Sequence, residues 1–149
     1  MAVSKRPEQS LVTYSLGSCV GVTLYDPEAG VGGMIHCLLP VSKTDPEKAK
    51  ANPAMFTDTG FVALLNAVTA EGAQMERLLV KVAGGGAPMD SVGRFKIGER
   101  NYAVLRKLLW KNNLLISGED VGGTKPRTMR MEVSSGQVTV SSGSEVVEL

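Results

Sequence analysis

The chain has 149 residues, a formal net charge of +1 and 43% hydrophobic residues. That bounds it to one domain with a core large enough to hold itself together, and the neutral balance leaves no electrostatic footprint for nucleic acid or an anionic membrane. A single His excludes any site with two His ligands, and two Cys exclude a four-thiolate zinc site or a disulfide framework.

Residues 1–16 (MAVSKRPEQSLVTYSL) carry two basic residues with no apolar run behind them, which is not a secretory signal. No stretch of 18 apolar residues exists to insert in a membrane. Cysteines without an export signal point to a reducing cytoplasm. One domain over 1–149 is expected, with residues 1–10 flexible.

In chain order, residues 11–16 and 19–26 are rich in β-branched and aromatic residues and predict two strands. Asp26-Pro27-Glu28-Ala29-Gly30 is turn chemistry, and 31–39 resumes as a third strand that ends before Pro40. Residues 41–56, with three Lys and two Pro, read as a surface loop. From Asp58 the period becomes helical: Phe61, Leu64, Leu65 and Val68 form one apolar stripe. Residues 77–83 predict a strand closed by Gly84-Gly85-Gly86. A second helix runs from about Glu99 to Lys111, with Tyr102, Leu105, Leu108 and Leu109 on one face. A strand over 114–118, a Gly-rich loop over 120–126 and a hairpin of 127–133 with 137–141 complete the chain. The order βββαβαβββ implies an α/β (α+β) single-domain sandwich, two main helices covering mixed β-sheet.

Leu16-Gly17-Ser18-Cys19-Val20 puts a thiol just after a sharp turn, at the mouth of a strand. Backbone amides in such a turn often lack ladder partners and suit an oxyanion. His36 lies on the next strand, and imidazole is the usual activator of a thiol. A four-residue hairpin loop, 27–30, sets Asp26 opposite Val31 and His36 opposite Gly21, on the pleat face of Cys19 and one pair away. A slip of one residue sends His36 to the other face. The pair reads either as a catalytic dyad or as two core residues. Cys37 alternates away from His36 and reads as a packed small hydrophobe; no metal site follows from these three residues.

Thr13 to Pro27, then Gly32-Gly33-Met34-Ile35-His36 and Leu38-Leu39-Pro40, resemble the CheD family of chemoreceptor glutamine deamidases. Lys81 to Met89, Ile97-Gly98-Glu99-Arg100-Asn101 and Asp120 to Arg127 resemble three further blocks of that family, in its order. The resemblance covers about residues 11–140. It implies a fold related to deamidating bacterial toxins and a catalytic set of Cys19, His36 and Thr13, with Gly17 and Ser18 shaping the oxyanion turn. It also implies no cofactor. The implied substrate is selected Gln side chains of methyl-accepting chemotaxis receptors, and CheC, a phosphatase, is an implied partner. Gly84, Gly85, Gly86, Met89 and Arg127 are candidate substrate-binding residues, and 41–56 and 84–89 are candidate walls of a groove. Two departures stand out: the Gly84–Gly86 stretch is one residue longer than the family pattern, and the segment before Thr13 is short. Alternative readings are a module that docks to CheC without chemistry, or a receptor methylesterase sharing the thioester route. A nucleotide site is disfavoured, because neither Gly-rich stretch carries GxxxxGK[ST] or GxGxxG.

Overall fold

The computed structural model describes residues 1–88 and 96–149. Among them run β1 (Ala2–Ser4), β2 (Ser10–Leu16), β3 (Val20–Asp26), β4 (Val31–Cys37), α1 (Pro46–Ala51), α2 (Thr57–Ala70) and β5 (Leu79–Gly84). There follow α3 (Ile97–Lys111), β6 (Ile116–Val121), β7 (Arg127–Glu132), β8 (Val138–Ser142) and β9 (Glu145–Glu148). A first sheet has the order β1-β4-β3-β5-β6, and a second has the order β2-β7-β8-β9. Only β5 and β6 pair in parallel; the other pairs are antiparallel.

Strand β3 is buried along its whole length, and its alternation explains the layering. Val20, Val22 and Leu24 pack with Phe61, Leu64, Val68, Leu105 and Leu109 of the two long helices. On its other face, Tyr25 joins Met34 of β4 and Leu16, Met129, Met131 and Val140 of the second sheet. The molecule is therefore helices on sheet on sheet. Both faces of the first sheet need apolar cover, which is why β3 and β4 lack the polar alternation of a strand with one wet face.

The expected mixed α/β class is the one observed, with three additions to the expected order. Residues 1–10 are not a flexible lead: Ala2–Ser4 pairs with β4 through Ala2↔Met34, Val3↔Gly33 and Ser4↔Gly32. The Ser4 hydroxyl then accepts from the Arg6 amide at 3.0 Å, which turns the chain back toward β2. Residues 41–56 are at the surface but folded. Pro46 opens α1, and the Asp45 carboxylate caps it by accepting from the Lys48 amide at 3.2 Å. The Asp58 carboxylate accepts from the Ser42 amide and hydroxyl, fixing this segment to the start of α2. Finally β9, fully exposed, adds an edge to the second sheet.

At the end of β3 away from Cys19, Asp26 is 0% exposed. Its carboxylate accepts from Arg77 Nη2 at 2.8 Å and from the amides of Gln74, Glu28 and Ala29 at 2.8–3.1 Å. The Arg77 guanidinium, with those amides, holds the Asp26 carboxyl well below the usual carboxylate range. A depressed folded pKa gives stability that is fully present above the unfolded value, about 3.9, and is lost as pH falls toward the folded one. The thermal midpoint of wild type should therefore fall on acidification below about pH 4 more steeply than that of Asp26→Asn. Parallel acid slopes in a melting series would remove Asp26 as the cause.

Candidate active site

The hairpin of β3 and β4 has the register that a four-residue loop predicts: Asp26↔Val31 at the turn and Gly21↔His36 near the open end. His36 thus shares a pleat face with Gly21 and with Cys19, two residues before Gly21. That face looks toward the second sheet, whose cluster Cys19 packs against. Cys37 points the other way, among the helices. Thr13 comes from β2, in the second sheet, and its Oγ1 lies 2.8 Å from His36 Nδ1. Sequence reasoning on a hairpin alone does not supply this contact, because Thr13 and His36 belong to different layers. A β-bulge lies between Thr13 and Leu16, with Ser15 at φ 59. The bulge ends the ladder just before the Gly17–Cys19 turn.

Burial decides the protonation states. It pushes the Cys19 thiol up, against a smaller opposing effect of the residue's own amide. It pulls His36 down, aided by the positive N-terminal ammonium. Both effects favour the uncharged forms of the two groups. The direction of the Thr13 Oγ1–His36 Nδ1 bond follows the tautomer: with the ring hydrogen on Nδ1 the imidazole donates and Nε2 keeps the lone pair a base needs. The same hydrogen bond survives when the ring becomes imidazolium, since Nδ1 still donates. Cys37 is fully buried, and burial pushes its thiol up to about 12, which suits packing and not chemistry.

The turn that carries Cys19 is held from outside. Gly17 O accepts from the Gly86 amide at 2.8 Å, and Cys19 O accepts from the Gly85 amide at 2.8 Å. Ser18 O accepts from Asn101 Nδ2 at 2.9 Å. The Ser18 and Cys19 amides have no acceptor among the described residues. Gly85 and Gly86 therefore brace the turn through their amides, and Gly84 pairs with Val20 beside it. Arg127 is 7% exposed. Its Nη2 donates to Gly122 O at 2.5 Å and its Nη1 to Gly84 O at 3.4 Å, and Asp120 lies 3.5 Å from Nε. The Arg127 guanidinium, a candidate for substrate binding, ties two Gly-rich loops together. Met89 lies outside the described residues. The 41–56 segment borders the end of β4 that carries His36, where the Leu38 amide donates to Met55 O at 2.8 Å.

A groove of about 330 Å³ runs against Thr13 and His36. A larger one, about 550 Å³, lies beside Trp110 and Leu115 at the C-terminal end of α3, a helix whose other end approaches the Cys19 turn. The smaller of the two is the one that His36 and Thr13 line. Among the described residues no three His, Cys, Asp or Glu side chains gather as a metal site, and no helix is long and apolar enough to cross a membrane.

The family model described as CheD chemotactic sensory transduction matches residues 38–142. A protein of Solibacter usitatus named "Probable chemoreceptor glutamine deamidase CheD" is 48% identical over 147 residues, 99% of this chain and 87% of its own length. One of Syntrophus aciditrophicus, named "Probable chemoreceptor glutamine deamidase CheD 1", is 48% identical over 99% of this chain and 92% of its own. A further relative from Pyrococcus horikoshii, named as the first, is 41% identical over 85% of this chain and 78% of its own. By a family match over most of its length and near-complete alignment with these relatives, the chain belongs to the CheD family.

Proposed function

We propose that the chain is a chemoreceptor glutamine deamidase in which Cys19 is the nucleophile. The observation that carries this reading is the 2.8 Å contact between Thr13 Oγ1 and His36 Nδ1, on the strand face that Cys19 shares. It orients the only imidazole of the chain beside a turn whose Ser18 and Cys19 amides have no acceptor among the described residues. The names of the relatives supply the substrate class, a Gln side chain on a chemoreceptor.

The amide carbon of Gln is a poor electrophile, and covalent catalysis divides its hydrolysis into two easier steps. His36 Nε2 takes the proton of the Cys19 thiol as the sulfur bonds to the Gln Cδ. The Ser18 and Cys19 amides receive the developing oxyanion. The C–N bond then breaks, and His36 returns its proton to the leaving nitrogen, which departs as ammonia. Water, deprotonated by His36, attacks the thioester. The C–S bond breaks, the thiol regains its proton, and Glu is released. Each proton that leaves a nucleophile is returned to a leaving group, so one imidazole suffices and no cofactor is required.

Intact-mass analysis of a receptor cytoplasmic fragment tests the reading: a gain of about 1 Da with release of ammonia is expected, as hydrolysis through an enzyme nucleophile requires. Release of methanol from a methylated fragment, with no ammonia, would assign a methylesterase instead. Thr13→Ala should lower kcat about 10–100-fold, because the imidazole loses its orienting partner but not its basicity; an unchanged kcat would detach Thr13 from the catalytic set. Two free cysteines support action in a reducing compartment, which we assign to the cytoplasm. CheC is the second partner proposed, on family resemblance.

A further inference from the structure

Asn101 is fully buried one turn into α3, yet every polar atom of its side chain is used. Nδ2 donates to Ser18 O at 2.9 Å and to Leu38 O at 3.1 Å. Oδ1 accepts from the Thr57 hydroxyl at 3.0 Å. One amide therefore ties together the turn before β3, the chain after β4 and the first residue of α2. Its two N–H groups are both spent and its oxygen is pinned, so the side chain has a single orientation.

The consequence lies in the peptide unit between Ser18 and Cys19. A trans peptide is planar, with C=O and N–H pointing in opposite directions. Asn101 belongs to the helix layer, so it draws the Ser18 carbonyl toward the helices. The Cys19 N–H must then point toward the opposite face, which is the face of His36 and of the Cys19 side chain. The neighbouring unit is set the same way by the Gly86 amide on Gly17 O, which leaves the Ser18 N–H facing away from Gly86. From these contacts we infer that Asn101 is a positioning residue of the deamidase: it aims the Cys19 amide at the oxyanion without touching substrate. This assignment rests on the function proposed above.

Alkylation separates aim from scaffold, since iodoacetamide reacts with a thiol without forming an oxyanion. In Asn101→Ala, kcat for deamidation of a receptor cytoplasmic fragment should fall about 10–100-fold. KM and the rate of Cys19 alkylation should stay within about 2-fold. Unchanged kcat overturns the assignment. So does a rise in KM alone, or a parallel fall of kcat and alkylation, which marks a residue that only holds the fold. If Asn101→Ala does not fold, Thr57→Val decides. It keeps the Asn101 donors but frees Oδ1, and a fall in kcat of about 3-fold or more with unchanged alkylation supports the role. Unchanged kcat in that variant overturns it. Cys19→Ala runs beside both: its retention of deamidation would overturn the underlying function as well, whereas an inactive Cys19→Ala confines any failure to Asn101.

Discussion

Cys19→Ala should fold as wild type and release no measurable ammonia from a receptor fragment, a loss of about 10⁴-fold or more. In the proposed mechanism the Cys19 thiol forms the covalent intermediate, and the second thiol of the chain does not substitute for it: Cys37 faces the helices, on the other side of the first sheet. The side chain of Cys19 is half-buried at the edge of the inter-sheet cluster, so its truncation removes little packing. Cys37→Ala is the informative companion, because it empties a core position yet leaves the catalytic face untouched. It should deamidate at a normal rate with a lowered melting midpoint. The burial of the thiol adds a second readout. Alkylation of Cys19 should rise with pH through a value above that of an ordinary thiol, as burial dictates. Deamidation by Cys19→Ala, seen by intact mass, would end the proposed mechanism.

Gly84→Ala should be nearly as damaging, for steric reasons. Gly84 has φ +99, and a Cβ built there meets Cys19 O at 2.2 Å. The obstacle is backbone, so no side chain can swing away. To make room, the Cys19 carbonyl must leave the Gly85 amide that now donates to it, and the nucleophile turn shifts with it. Left-handed strain and overpacking together cost about 2–5 kcal/mol, and the displaced turn lowers kcat about 100-fold in the protein that still folds. Gly143→Ala separates the two causes. Gly143 also has a positive φ, +61, but nothing lies within 4 Å of its would-be Cβ, so it pays strain alone and should keep full activity. Equal activity loss in both variants, by ammonia release at a temperature where each is folded, would show that backbone strain and not the clash is responsible.

What could be seen beforehand divides by how local the information is. The β3–β4 register follows from the length of one turn, and it carried His36 to the face of Cys19 and Cys37 to the other. Strand β2 was legible as a strand but not as a member of another sheet, because nothing local says which of two sheets a strand joins. The Thr13–His36 contact depends on that choice, and only the family resemblance pointed to Thr13. The fold of 41–56 was announced by Asp45-Pro46, a cap followed by Pro at the first helical position, but its low apolar content concealed it. Asn101 leaves a signal in the sequence. It lies four residues before Leu105, so a polar side chain stands on the apolar stripe of its helix, and buried polar groups need partners. The contacts of Arg127 with the carbonyls of Gly84 and Gly122 have no local signal, because they join loops far apart in the chain.

The division of the site between two sheets has a consequence for when the enzyme is dangerous. A deamidase let loose on arbitrary glutamines would damage its own cell. Here the hairpin that brings Cys19 and His36 to one face is local, and it can form while the second sheet is still undocked. In such a half-assembled chain His36 lacks Thr13, and Cys19 lacks the inter-sheet cluster it packs against. Under the proposed function the thiol then lacks an oriented base, and competence arrives only once the second sheet has docked.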